Sequence, residues 1–329
     1  MYFSPRYIFT WVLFCLMRIG TLLPISWQLA IGRWIGTISY YIAPYRRTIA
    51  TINIQLCFPE LSKKQQKQLI KKSFASAGEG IMEIAMAWWL TDKRLENLTE
   101  WSGCEYFDSA IATGRPVIIA GAHFTCLEIA GRLFAQRYQY QLMHRPHKNL
   151  LFNAMMSKKR KASANYVINR DDMRGMIRAI KTKIPMWYAP DQDYGAKHSV
   201  FAPFFGIPAA SIYILSRLAK HTNAIVIPLA YHRKSKDIGY KFRFGPIFTN
   251  YPSGNWTTDA TQYNDFLTQD LRSDPTQYLW QHRRFKTRPP GETKLYPSKR
   301  HRRRRKRFIY LNYNRFKNYI RNCLHYKQK

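Results

Sequence analysis

Between residues 117 and 272, short apolar runs alternate with segments whose apolar residues recur at helical spacing. This alternation restricts the possible folds more than any other feature of the chain. The runs at 117–121, 140–144, 165–168, 185–189, 224–230 and 240–244 have strand length and strand composition. The segments near 105–113, 125–137, 148–161, 172–183, 209–221 and 258–272 read as helices. Strands that alternate with helices pair through crossovers, so the pattern predicts an α/β domain with a mixed central sheet flanked by helices.

Within that pattern the stretch "PVIIAGAHFTCLEIAGRLF", residues 116 to 134, carries candidate chemistry. A buried strand, Val117 to Gly121, turns through Ala122, His123 and Phe124 into a helix that begins near Thr125. His123 therefore stands where strand hands over to helix, with Glu128 about one turn further on. A histidine held by a carboxylate can take the proton of a hydroxyl. Thr125 and Glu128 also have the spacing of a capping box, in which Glu128 would only bond back to the helix start. Both readings fit this stretch taken alone. Three others add polar groups. In "FNAMMSKKRK", Asn153 and Arg160 fall two helical turns apart on one face. In "WYAPDQDYG", Asp191 and Asp193 follow the carboxyl end of a strand, where α/β sheets place their sites. In "INRDDMRGMIRAI", Arg170 precedes an aspartate-capped helix.

The two ends of the chain read differently. Tyr7 to Leu23 is almost entirely apolar, broken by Arg18, and no cleavage site follows. Residues 1–24 are accordingly expected to form an N-terminal transmembrane helix, and residues 25–60 an interfacial segment. Arg33, Arg46 and Arg47 outnumber Arg6, which would put the bulk of the chain on the cytoplasmic side. "SKKQ" at Ser62 is a capping box that opens a long helix, and the folded domain is expected over 61–289. Residues 290–329 hold "KRHRRRRKR" and then Ile309, Tyr313, Phe316, Ile320 and Leu324 at helical spacing. That predicts a basic amphipathic helix and a reversible membrane contact. With 53 Lys and Arg against 19 Asp and Glu, the chain favours polyanionic surroundings. Its five cysteines are widely spaced and form no C-x-x-C pair, which excludes a disulfide framework or a cysteine zinc site. Neither a metal nor a cofactor is expected.

These stretches, with "FSPRY", "INIQLCFPEL", "AMAWWL", "FAPFFGIPAA" and "QYLWQHRRFKTRP", resemble the bacterial lipid A late acyltransferases, a branch of the glycerolipid acyltransferase superfamily. The resemblance covers about residues 3 to 289. It implies that His123 and Glu128 occupy the family's H-x4-D/E catalytic pair. It also implies that Arg160 and Asp191 fall in the second and third motif blocks, where with Asn153 and Arg170 they would bind substrate. The donor would be acyl carrier protein. The acceptor would be a hydroxyl on a 3-hydroxyacyl chain of a Kdo-bearing lipid A precursor. The implied location is the bacterial inner membrane, single-pass, with the catalytic domain cytoplasmic and membrane lipids as neighbours. In this reading His123 is the general base and Glu128 orients its ring. A lysophospholipid or glycolipid acyltransferase with another acceptor is the neighbouring reading. A membrane-tethered polyanion binder is the rival from another class, but no stacking platform or nucleic-acid motif accompanies the basic residues, so no nucleic-acid partner is expected.

Overall fold

The computed structural model describes residues 2–169, 171–235 and 237–297. The chain divides into two compact units, Met1–Glu292 and Thr293–Lys329, and the first holds every element that follows. Arg170 and the basic amphipathic stretch of the tail lie outside the described residues.

Helices α1 (Ile8–Gly20), α2 (Ile25–Ile42), α3 (Pro44–Cys57), α4 (Lys63–Trp89) and the short α5 (Asp92–Leu95) precede the sheet. Then come β1 (Thr99–Ser102), α6 (Cys104–Ala112), β2 (Val117–Ala120), α7 (Leu127–Phe134), β3 (Gln141–His144), α8 (Leu150–Lys161) and β4 (Tyr166–Asn169). The chain continues through α9 (Met173–Lys181), β5 (Met186–Tyr188), β6 (Ser199–Phe204), β7 (Ile207–Ile212), α10 (Ile214–Thr222), β8 (Ile225–Arg233), β9 (Tyr240–Phe244) and α11 (Trp256–Ser273). The main sheet runs β1-β9-β8-β2-β5-β3-β4. Its strand pairs are parallel except β8 with β9, so the sheet is mixed and flanked by helices. β2 sits between β8 and β5 with all its residues buried. Its carboxyl end therefore delivers the following turn to the middle of the sheet.

Two elements depart from the pattern. Residues expected to start a helix at 209 belong instead to β7, and the helix begins only at Ile214. β6 and β7 form a separate antiparallel hairpin closed by Phe205 and Gly206, both at positive φ (53° and 75°). Paired positive φ values are what a two-residue hairpin turn needs. The other is β1, which adds a parallel edge beside β9.

The amino-terminal expectation is overturned. Among the described residues no helix is long and apolar enough to cross a membrane. α1 has 13 residues, against the roughly 17–25 that span a bilayer. It is also two-faced: Tyr7, Thr10, Phe14, Met17 and Thr21 are buried, whereas Phe9, Val12, Leu13, Leu16 and Ile19 are exposed. A spanning helix has no such buried stripe against its own domain. The single-pass inner-membrane topology falls with it. Phe14 instead packs its ring 5.9 Å from Trp88, 6.1 Å from Trp89 and 5.9 Å from Phe152.

α2 lies against α4 through a stripe at Gln28, Gly32, Gly36 and Tyr40. A Cβ on Gly36 would stand 2.1 Å from the Phe74 carbonyl oxygen, and one on Gly78 would stand 2.1 Å from that of Gly32. The two backbones touch, and only glycine allows the approach. α4 opens as expected: Ser62 caps the Gln65 amide, and the Gln65 side chain accepts from the Ser62 amide at 2.9 Å.

Candidate active site

The turn after β2 is held by side chains from distant elements. The Tyr263 hydroxyl donates to the Gly121 carbonyl (2.7 Å) and the Tyr231 hydroxyl to that of Ala122. The Thr125 amide donates to the Gln277 carbonyl (2.8 Å), and Phe124 forms an isolated bridge with Tyr278. Gly121 lies against the Trp187 indole, where a Cβ would come within 2.3 Å of Nε1. With its neighbours pinned, the position of His123 is fixed by the backbone.

β5 runs parallel beside β2, with Ala120 opposite Tyr188. The chain leaving β5 thus meets the chain leaving β2, and this adjacency places Asp191 on His123. The Asp191 Oδ1 lies 2.6 Å from His123 Nδ1, and its Oδ2 accepts from the His123 amide (3.0 Å) and the Tyr278 hydroxyl (3.1 Å). Burial pushes the Asp191 carboxyl up. The His123 ring, its hydrogen bonds and the Arg284 charge outweigh that and hold it at about 2. Asp191 is therefore an anion at neutral pH and only accepts hydrogen bonds, so Nδ1 carries the proton and Nε2 is left as the basic nitrogen. The His123 side chain is 26% exposed against 1% for Asp191, so the ring stays reachable while its partner is sealed.

Glu128 occupies a different place from the one expected. Its carboxylate takes Arg160 in a forked pair, Nη2 to Oε2 at 2.6 Å and Nε to both oxygens at 3.2 Å. The Trp88 indole donates to Oε1 at 3.1 Å. The ring of His123 is met by Asp191, not by Glu128. Nor is Glu128 a capping residue, because the Thr125 amide bonds elsewhere and α7 begins without a side-chain cap. Burial disfavours the Arg160 charge, yet Glu128 more than compensates and raises its pKa. Asn153 shares α8 with Arg160, and its Oδ1 accepts from the His147 amide (2.8 Å), which braces the loop before the helix.

Asp193 lies on the same loop as Asp191 but points into the structure. It accepts from the Thr287 amide (2.6 Å), the Thr287 hydroxyl (2.8 Å) and the Gly195 amide (2.9 Å). Cys126 is buried, and desolvation pushes its thiol far above its ordinary value. A thiol in that setting is a packing group, not a nucleophile. Among the described residues no group of three or more His, Cys, Asp or Glu side chains is gathered for a metal ion.

Several residues around His123 were not legible as site residues. Tyr278 and Arg284 come from the block "QYLWQHRRFKTRP", whose density of aromatic and basic residues was the only signal. Arg284 is 1% exposed and donates to the Ala210 carbonyl (2.8 Å) and Ser211 Oγ (2.9 Å). His282 lies near the pair. Burial drives its pKa down to about 4 against the pull of Asp191, so it is neutral wherever Asp191 and His123 would work.

The chain matches the family model described as bacterial lipid A biosynthesis acyltransferase over residues 2–287. It is 33% identical over 299 residues to the lipid A biosynthesis palmitoleoyltransferase of Escherichia coli K12, covering 90% of this chain and 96% of that protein. To the lauroyltransferase of the same organism it is 33% identical over 293 residues, covering 89% of this chain and 96% of the relative. To the myristoyltransferase it is 26% identical over 299 residues, covering 90% and 92%. A match of this length, over a sheet that presents a reachable histidine on a sealed aspartate at its centre, places the chain in the bacterial lipid A biosynthesis acyltransferase family.

Proposed function

We propose that the protein moves a fatty acyl chain from acyl carrier protein to a hydroxyl of a 3-hydroxyacyl chain on a Kdo-bearing lipid A precursor. The observation that carries this reading is the commitment of His123 Nδ1 to the sealed Asp191 carboxylate. It leaves Nε2 as the base. Nε2 takes the proton of the acceptor hydroxyl while that oxygen attacks the thioester carbonyl. The tetrahedral intermediate collapses, the C–S bond breaks, and the departing thiolate recovers the proton from the imidazolium. General base work of this kind contributes about 10²–10⁴-fold. Arg160, aligned by Glu128, supplies positive charge for the oxyanion that develops on the carbonyl. Asp191 positions the base, the role the resemblance implied for Glu128, and Glu128 acts instead through Arg160.

The test uses purified protein, an acyl-carrier-protein thioester, and two acceptors: the lipid A precursor and a lysophospholipid. Mass spectrometry is expected to show one added acyl chain on the precursor. Acylation of the lysophospholipid alone would overturn the assigned acceptor, and an equal rate with the corresponding coenzyme A thioester would overturn the donor.

An exposed apolar face supports contact with a lipid surface. Phe9 is 86% exposed, Leu16 62%, Trp27 64% and Trp34 66%, all on α1 and α2. Those two helices would lie in the interface with these side chains among the acyl chains. Phe9→Glu combined with Leu16→Glu is expected to abolish flotation with zwitterionic vesicles in high salt, conditions that suppress any contribution from the basic residues. Unchanged flotation of that variant would discard this face as the contact.

A further inference from the structure

Beside the Glu128–Arg160 pair lies a cavity of about 340 Å³ whose wall includes Arg18, Trp88, Trp89, Arg132, Lys159 and Ser163. It adjoins the site through three elements. Trp88 donates to Glu128. Arg132 follows Glu128 by four residues on α7, about one helical turn or ~6 Å along the axis. Lys159 immediately precedes Arg160 on α8. α7 and α8 thus each give one cation to the cavity and one member to the neighbouring ion pair.

The charges in the cavity are not balanced. Asp92 meets Arg132, and that carboxylate is 70% exposed at the outer side. Arg18 donates to the Trp89 carbonyl (3.1 Å) and Thr21 Oγ1 (3.4 Å), neither of which carries charge. Lys159 lies near the Trp89 ring, 5.9 Å from its centroid. Burial, and then the charges of Lys158, Arg18 and Arg132, lower the Lys159 pKa. Three cations line this cavity and, among the described residues, only Arg132 of the three is seen to meet a carboxylate, with room for a ligand between them.

We infer that this cavity binds a phosphate monoester of the lipid acceptor. Such a group carries about −1.5 to −2 charges and three strong acceptor oxygens, which matches the cationic surplus. Two guanidinium groups and one ammonium are the donors that phosphate recognition uses. Arg18 also lies at the carboxyl-terminal end of α1, the helix whose Phe9, Leu13 and Leu16 face outward. A phosphate held there would sit at headgroup depth while the acyl hydroxyl reaches His123. The identity of the ligand rests on the acyltransferase reading above, but the anion site does not.

The experiment reads Lys159 directly, by amine-specific acetylation of the wild-type protein and mass spectrometry of each lysine. Inorganic phosphate and a short-chain phosphorylated acceptor are expected to suppress labelling of Lys159 and to leave the exposed Lys64 and Lys67 on α4 unaffected. The dephosphorylated acceptor should give no protection. No protection by either phosphate compound, or equal protection by the dephosphorylated acceptor, overturns the inference. Protection by the phosphodiester arm of acyl carrier protein but not by the acceptor overturns it as well, since the site would then belong to the donor. Kinetics supply the second arm. Lys159→Met and Arg132→Gln should each raise KM for the phosphorylated acceptor about tenfold more than for the dephosphorylated one. If the protein acylates neither acceptor, the proposed function fails, but the labelling result still decides the anion site.

Discussion

Asp191→Asn is expected to lower kcat by about 10³–10⁴-fold, with KM little changed and the fold retained. The loss follows from which atoms the amide can satisfy. At the Oδ2 position two donors arrive, the His123 amide and the Tyr278 hydroxyl, so the asparagine oxygen must sit there. Its NH2 group then occupies the Oδ1 position, facing His123 Nδ1. Donor facing donor is untenable, so Nδ1 becomes the acceptor and Nε2 takes the proton. The ring is present but in the wrong tautomer, and the acceptor hydroxyl finds no base. Steady-state kinetics with a melting curve for the same preparation is the measurement. Near-normal turnover would remove Asp191 from the mechanism and return the ring to Glu128. The same pair sets a pH dependence of stability. The Asp191 pKa is lowered on folding, so its contribution is fully present above its ordinary value of 3.8 and is lost as pH falls towards about 2.

That prediction turns on a residue whose type the sequence displayed but whose partner it did not. Six of the sheet strands, the turn at His123 and the position of Asp191 after a strand follow from local pattern. Strand order does not. β2 and β5 are separated by β3, β4 and three helices in the chain, yet they are neighbours in the sheet. His123 and Asp191 therefore meet across 68 positions, whereas Glu128, five residues away, turns to Arg160 on α8. Proximity along the chain pointed to a carboxylate that the fold pairs with Arg160 and not with the His123 ring. At the amino terminus, mean hydropathy concealed a periodicity. The buried positions 7, 10, 14, 17 and 21 repeat at helical spacing, but the opposite face is equally apolar, so no polar face marks the period. The β6–β7 hairpin escaped because its turn is Phe205–Gly206, and a phenylalanine at positive φ is not a turn signal.

Two glutamates stand inside the apolar run that ends α4, and they lead to the largest stability effect expected. Glu79 and Glu83 are both buried, and both meet Arg233 at the end of β8. The guanidinium donates to Glu79 (2.8 Å), to Glu83 (3.0 Å through Nη2), to Ser76 Oγ (2.8 Å) and its carbonyl (3.1 Å), and to Thr125 Oγ1 (2.7 Å). The Tyr240 hydroxyl adds a bond to Glu83 at 2.7 Å, and the exposed Arg33 pairs with Glu79 at 2.8 Å. Two arginines thus balance two carboxylates, and the cluster ties α2, α4 and β8 to the residue two places after His123. Burial disfavours the Arg233 charge, yet the glutamates raise its pKa far above the ordinary value. Arg233→Met leaves Glu83 buried without its counter-charge and is expected to cost about 3–5 kcal/mol of stability. Adding Glu83→Met removes the orphaned carboxylate, so the double variant should recover a large part of that loss. Urea unfolding of the two variants beside the parent protein decides it. Equal losses in the single and double variants would show that packing, not charge balance, holds this junction. Because Arg233 also bonds Thr125, the single variant should lose turnover even where it remains folded, and the double variant, which lacks the same bond, should regain stability without regaining rate.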